Sequence, residues 1–374
     1  MLAFNASGGA VSSSVVKQEI PMPSLSVQAP TCTDIQRMTA AIIAGQELSA
    51  SEARALLEIQ ANSDAYQSLM QAAQTVRDHF LGKTVHFCSI LNAKAGNCSE
   101  NCSYCSQASN SSNVDYTKNK WLDHEDIRQA AASAANNGAK ALGLVAAWKG
   151  VKKGAQLDMI CDSIRELVAE GNIRPDINLG ILEDQEVADR LRDAGAAVYG
   201  HNLETARSFF EQTCDTHSFD ERWRTIQYIK KSGMGLCSGG IIGMGESKDQ
   251  RIEFAEQLRF IEPQMIPINF LNPLPGTDFA EREPVNPDEA LITLATLRLF
   301  LPERNIMVAG GKEVTFGDRL AEVFDAGVNA VMVGNYLTTL GTEPEFWHQQ
   351  VASRGLQLAA AAGSGCGKGC SDPS

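Results

Sequence analysis

The chain has 374 residues, 44% of them hydrophobic and 21% charged, enough apolar material for a large packed core. A net charge of −13 with no basic stripe argues against a nucleic-acid partner, because phosphate neutralisation needs clustered Lys and Arg. Ten cysteines are too few for a disulfide-stapled secreted scaffold, and the most apolar windows, such as Ala141–Trp148 and Ala290–Leu301, are too short or too charged to span a membrane, so the expected setting is the reducing cytoplasm.

Residues 1–32 are rich in Ser, Ala and Pro, with only Lys17 and Glu19 charged. They lack the features of a signal or transit peptide and read as a disordered leader. Over 33–82, apolar residues recur at three- and four-residue intervals in Asp34–Met38 and Glu47–Ile59, with Ser49 or Ser51 as N-caps. This segment is expected to form a helical lid or collar. Short apolar runs then begin to alternate with amphipathic stretches. The expected strands are Val85–Leu91, Ala141–Ala147, Ile177–Leu182, Ala197–His201, Gly235–Ile241, Met265–Phe270, Asn305–Ala309 and Asn329–Val333. Expected helices between them include Asp123–Asn137, Asp158–Glu170, Gln185–Asp193, Phe219–Lys231, Lys248–Phe260, Pro287–Phe300 and Thr315–Asp325. Eight strand–helix units over 83–340 match a (β/α)8 TIM-type barrel, with a doubly wound open sheet as the alternative. Residues 341–374 are expected to be a C-terminal tail.

The densest chemical signal follows the first expected strand. Cys98, Cys102 and Cys105 are spaced C-x3-C-x2-C. Thiolates hold iron–sulfur clusters, and a cubane takes four ligands, so three thiolates leave one iron open. An open iron can chelate the amino and carboxylate groups of S-adenosylmethionine (SAM) and pass it an electron, which is the radical SAM arrangement. Structural zinc, recruiting Cys88 or His86 as a fourth ligand, is the alternative. In a barrel the loop after a strand lies at the catalytic mouth, which is where these cysteines fall.

Five blocks carry a wider resemblance: Lys94–Gln107, Ala146–Lys149, His201–Thr205, Cys237–Glu246 and Pro267–Phe270. In sequence and in order they resemble the biotin synthase family, over roughly Gly82 to Thr339. The resemblance implies a [4Fe-4S] cluster with SAM, hydrogen abstraction from dethiobiotin and insertion of one sulfur. It also implies an electron donor such as flavodoxin or ferredoxin, and a homodimer. At single positions it implies that Tyr104, Gly239, Ile241 and Gly243 lie beside the adenine, that Ala147 and Trp148 border the cofactor, that Glu204 meets the ribose and that Arg222 pairs with the SAM carboxylate. Asn202 and Asn269 would hold the ureido ring of the substrate, for which an amide offers both donor and acceptor.

One departure stands out. The family's usual second cluster, a [2Fe-2S] centre deep in the barrel, takes three cysteines and an arginine. Aligned by the surrounding blocks, this chain keeps Cys237 and places Gly143, Asp176 and Met307 at the other positions. Cys88 on the first strand, with Cys366 and Cys370 in the glycine-rich C-terminal segment, brings the thiol count to four. These four are the expected ligands of a different auxiliary cluster, reached by folding the segment into the barrel mouth. Cys32, Cys161 and Cys214 have no partner spacing and read as core thiols. A radical SAM enzyme with another substrate, such as methylornithine synthase, and a zinc- or cluster-stabilised binding protein are the competing functions.

Overall fold

The computed structural model describes residues 27–112 and 116–359. The Cys366 and Cys370 expectations therefore lie outside the described residues, as does most of the expected leader. Eight parallel strands close on themselves: β1 Thr84–Lys94, β2 Ala141–Ala146, β3 Arg174–Asn178, β4 Val198–Gly200, β5 Gly235–Cys237, β6 Met265–Phe270, β7 Asn305–Val308 and β8 Ala330–Met332. Each pairs with the next, and β8 pairs with β1 in the register His86↔Ala330 to Cys88↔Met332, so the open-sheet alternative is excluded. The strands are Val-, Ile- and Leu-rich because a parallel barrel strand is covered on its outer face by helices.

Two expected strands are interrupted, each at a glycine. Ile177–Leu182 breaks at Gly180, whose φ is +71° and whose Cβ would lie 2.5 Å from Lys149 O. Ile181–Leu182 consequently leaves the barrel and pairs with Gly150–Val151. Gly235–Ile241 breaks at Ser238–Gly239, and Gly240–Ile242 resumes pairing with β6 at Gly240↔Ile268. The expected helix Thr315–Asp325 becomes a short helix, Lys312–Phe316, followed by a 3-10 segment, Gly317–Phe324, because Gly317 adopts φ +50°.

The N-terminal helices Cys32–Ile43, Ala50–Leu56 and Asp64–Leu81 form an outer collar. Ser49 caps the second with a reciprocal bond to Glu52, the capping box its sequence implies. Arg54 meets Asp249 at 2.6 Å and Lys248 meets Glu58 at 2.9 Å, which ties this helix to the outer helix Lys248–Ile261. At the other end, residues 344–358 fold onto the barrel. Helix Pro344–Ser353 buries Trp347 completely against Phe324, and Gln357–Leu358 adds a parallel strand beside Thr84–Val85.

Arg298 is fully buried on the helix Pro287–Phe300 and donates to the carbonyls of Gly327, Pro302 and Arg304 and to Asn329 Oδ1. Burial pushes its guanidinium down to about 9, a cost that these acceptors offset. Arg298→Met should destabilise the protein by on the order of 3–5 kcal/mol, because several buried acceptors lose their donor at once. Urea unfolding measures this, and a change under about 1 kcal/mol would show that water replaces the guanidinium.

Candidate active site

Inward-facing positions of this barrel include Gly143, Gly200, Cys88, Cys237 and Asn178, and they enclose a cavity of about 1080 Å³. TIM-type barrels normally fill this space with branched side chains. Here it runs from Cys98, Cys102 and Cys105 at the strand C-terminal ends to Lys140, Arg174, Gln264 and Arg304 at the strand N-terminal ends.

The cysteine loop follows β1. Two successive residues, Gly96 (φ +73°) and Asn97 (φ +54°), turn the chain through left-handed geometry, and Gln107 Oε1 accepts from Gly96 N at 2.8 Å to close the turn. The loop is then fastened to the segment after β4. Ser103 N donates to Thr213 O at 2.9 Å, and Asn101 Oδ1 accepts from the backbone of Asp215 and Thr216. Glu100, itself buried, lies 2.7 Å from His217 Nδ1 and accepts from Thr216 Oγ1 at 2.9 Å. His217 stands just before the helix Phe219–Ser232, whose Ser218–Glu221 capping box fixes its start and thereby places Arg222 in the first turn. Sequence reasoning missed Glu100 and His217, and it left Cys214 among the core thiols; Cys214 Sγ lies 3.8 Å from Cys102 Sγ.

Burial pushes the Cys105 thiol up to about 11 and raises Cys98 as well; the hydrogen bond with Cys214, then burial, raise Cys102. Few cations are at hand to hold thiolates here: Lys94 acts weakly on Cys98 and Arg222 on Cys102. Three sulfur donors on one short loop, facing a cavity and short of compensating charge, fit a site completed by iron.

Tyr104, Ala147, Trp148, Asn202, Glu204, Arg222 and Asn269 line the same cavity beside the cysteines. Glu204 adopts φ +71°, unusual for a residue with a side chain, and is held there because its N–H donates to Gly239 O at 3.1 Å and its carbonyl accepts from Ile241 N at 2.7 Å. Gly239 is required at this approach, since a Cβ would meet Pro267 O at 1.9 Å. Gly239, Ile241 and Gly243 do not line the cavity themselves; Gly239 and Ile241 hold Asn202 and Glu204 by hydrogen bonds, and Gly243 N donates to Glu246. Arg222 lies 3.4 Å from Glu204, donates to His217 Nε2 at 3.1 Å and reaches Asn202 O at 3.0 Å. Asn202 Oδ1 accepts from Gly239 N at 3.1 Å, and Asn269 Oδ1 accepts from Gly310 N at 2.8 Å. Each amide keeps an N–H and a lone pair for a ligand. His201 lines the cavity with Nε2 unpartnered, and burial holds it well below its ordinary pKa, so it is neutral.

Toward the floor, three of the four positions of the usual second cluster hold other chemistry. A Cβ on Gly143 would sit 2.8 Å from Asn178 Nδ2, Asp176 is bound twice by Arg174 at 2.8 Å, and Met307 packs with Ala309, Ala330 and Met332. These residues do not fit a [2Fe-2S] centre of three thiolates and a free guanidinium. Cys88 and Cys237 both line the cavity at this level, and each thiol is raised by burial, Cys88 to about 12.

Raised thiol pKa values couple folding to pH. An unfolded thiol ionises near pH 8.5, so the stabilisation from neutral Cys88 and Cys105 is complete below about pH 8.5 and is lost as pH rises toward their folded values. Cluster-free protein should therefore weaken between about pH 8.5 and 10, and Cys88→Ala should flatten that slope. Urea midpoints across this range test it; identical slopes for the two proteins would mean that Cys88 is solvated.

Comparison with known proteins gives the family and the fold. The chain matches the Radical SAM superfamily over residues 94–258 and the biotin and thiamin synthesis associated domain over residues 267–357. It is 43% identical to biotin synthase of Geobacter sulfurreducens over 317 residues, covering 85% of this chain and 95% of the relative. Biotin synthase of Pelobacter propionicus is 41% identical, with 84% and 95% covered. Among solved structures, methylornithine synthase superposes with a TM-score of 0.73 at 19% identity, covering 86% of this chain and 97% of that one. A maturase of the [FeFe]-hydrogenase gives 0.74 at 17% identity, covering 88% and 76%. These two likenesses show the fold alone.

Proposed function

The chain belongs to the biotin synthase family, radical SAM enzymes that insert sulfur into dethiobiotin with a [4Fe-4S] cluster and SAM, and from that premise we propose which of its residues do the work. Cys98, Cys102 and Cys105 hold the SAM cluster, leaving one iron for the amino acid end of SAM. The observation that carries this is the set of three thiols on one fastened loop, facing the same cavity as Glu204, Arg222 and Asn269. When bound, the cluster supplies the electron that cleaves the sulfonium bond. Arg222 meets the SAM carboxylate, Glu204 the ribose hydroxyls and Tyr104 the adenine. Asn202 and Asn269 orient the ureido ring through the donors and acceptors that their backbone ties leave free. The cavity walls exclude water from a reactive carbon radical.

For the sulfur source we infer a second cluster on Cys88, Cys237, Cys366 and Cys370. Cys88 and Cys237 share the floor half of the cavity, and Ala359, the last described residue, donates to Val85 O at 2.9 Å. Val85 is three residues from Cys88 along β1, about 10 Å. Cys366 is seven positions beyond Ala359, a reach of up to about 25 Å. Electrons would come from flavodoxin or ferredoxin, and two chains would pair as a homodimer, as the family resemblance implies. No helix of the described residues is long and apolar enough to cross a membrane. The reliance on free thiols supports a reducing cytoplasm.

Cys102→Ala should abolish 5'-deoxyadenosine formation from SAM with dithionite as reductant; a near-wild-type yield would remove the ligand assignment. Ending the chain at Gly363 should lower iron to that of one cubane, roughly four per chain, with 5'-deoxyadenosine retained and biotin lost. Unchanged iron and biotin in the shortened protein would exclude Cys366 and Cys370 as ligands.

A further inference from the structure

Cys214 is buried 3.8 Å from the sulfur of Cys102, which donates to it while both thiols are free of iron and thereby pulls the Cys214 thiol well down; once iron takes the place of the Cys102 proton that bond is gone, and Cys214 is left to supply the hydrogen. Arg222 Nε donates to His217 Nε2 at 3.1 Å, so that nitrogen is bare and Nδ1 carries the proton given to Glu100 Oε2 at 2.7 Å. A protonated Nδ1 cannot accept from Cys214, whose sulfur lies 3.2 Å away. Cys214 Sγ is also placed to donate to Asn101 Oδ1 at 3.4 Å, but that oxygen already accepts from the N–H groups of Asp215 and Thr216, both at 3.3 Å, and is a weak neutral acceptor for a third. Thr216 Oγ1, also at 3.4 Å, gives its proton to Glu100 and takes one from Asn101 N at 3.2 Å. It remains a neutral acceptor, whereas an iron-bound Cys102 sulfur is charged and attracts a donor more strongly.

We propose that Cys214 donates its S–H to the Cys102 sulfur in the cluster-loaded enzyme and thereby raises the reduction potential of the SAM cluster, with Glu100 and His217 holding the thiol in place. This rests on Cys102 being a cluster ligand. Reduction adds negative charge to a cluster, and a hydrogen bond to a ligand sulfur stabilises that charge. Cys214 is a positioning residue: it touches neither SAM nor dethiobiotin. The same network reaches Arg222 and, through it, Glu204, so the cysteine loop and the SAM pocket share one set of buried contacts.

The test compares full-length wild type, Cys214→Ala and Cys214→Ser, each purified anaerobically with its clusters, by iron analysis and a redox titration followed by electron paramagnetic resonance. At the wild-type midpoint, the ratio of reduced to oxidised SAM cluster should fall roughly three- to tenfold in Cys214→Ala with iron unchanged. Cys214→Ser, whose hydroxyl still donates, should lose less. A wild-type ratio in Cys214→Ala at full iron overturns the proposal, as do equal losses in both variants, which would indicate packing. Iron lost from both variants also overturns it, because Cys214 would then be needed to hold the cluster. A wild type without a cubane would instead remove the ligand assignment beneath it.

Discussion

The site in this barrel depends on how the loop carrying Cys98, Cys102 and Cys105 is held against its neighbours. A cluster binds more tightly where its ligands already converge, since a flexible loop would lose its conformational freedom at the moment of binding. Here the convergence comes from outside the loop. Glu100, between two of the cysteines, is buried against His217 and Thr216, and Asn101 is bonded to the same neighbouring segment. Two connections, one after β1 and one after β4, thus form a single rigid rim.

The second requirement is space. A barrel that packs its interior gains stability from branched side chains, whereas this one places glycine, cysteine and asparagine at inward positions and leaves a cavity of about 1080 Å³. Stability is recovered on the outside, where three N-terminal helices, the fully buried Arg298 and the Trp347 helix brace the outer layer. The resulting cavity has two chemically distinct ends. One carries the three-cysteine loop with Arg222 and Glu204; the other carries Cys88, Cys237 and the Arg174–Asp176 pair.

Much of this was legible from one chain because the relevant signals are local. The three-cysteine spacing, the alternation of apolar runs with amphipathic stretches and the capping residue Ser49 are all set by near neighbours. Met265–Phe270, Gln185–Asp193 and Pro287–Phe300 fall where their periodicity puts them. What escaped was tertiary. Gly180 ends a strand because Lys149 O approaches from another loop, and Gly239 interrupts one because Pro267 O does. Helix Pro344–Ser353 is short, and burial of Trp347 against Phe324 stabilises it more than any strong pattern of its own. Glu100, Cys214 and His217 are more than a hundred residues apart at the extremes, so no spacing rule could join them. Barrel closure, too, appears only when β8 is seen to pair with β1.

The Cys98, Cys102 and Cys105 thiolates would leave one iron of a cubane open to SAM. The most direct measurement is electron–nuclear double resonance on the reduced cluster with SAM labelled by nitrogen-15 at its amino group. A resolved nitrogen coupling that disappears when SAM is omitted is the expected result. A reduced cluster that shows no such coupling with SAM bound would contradict it, because all four irons would then be closed by the protein.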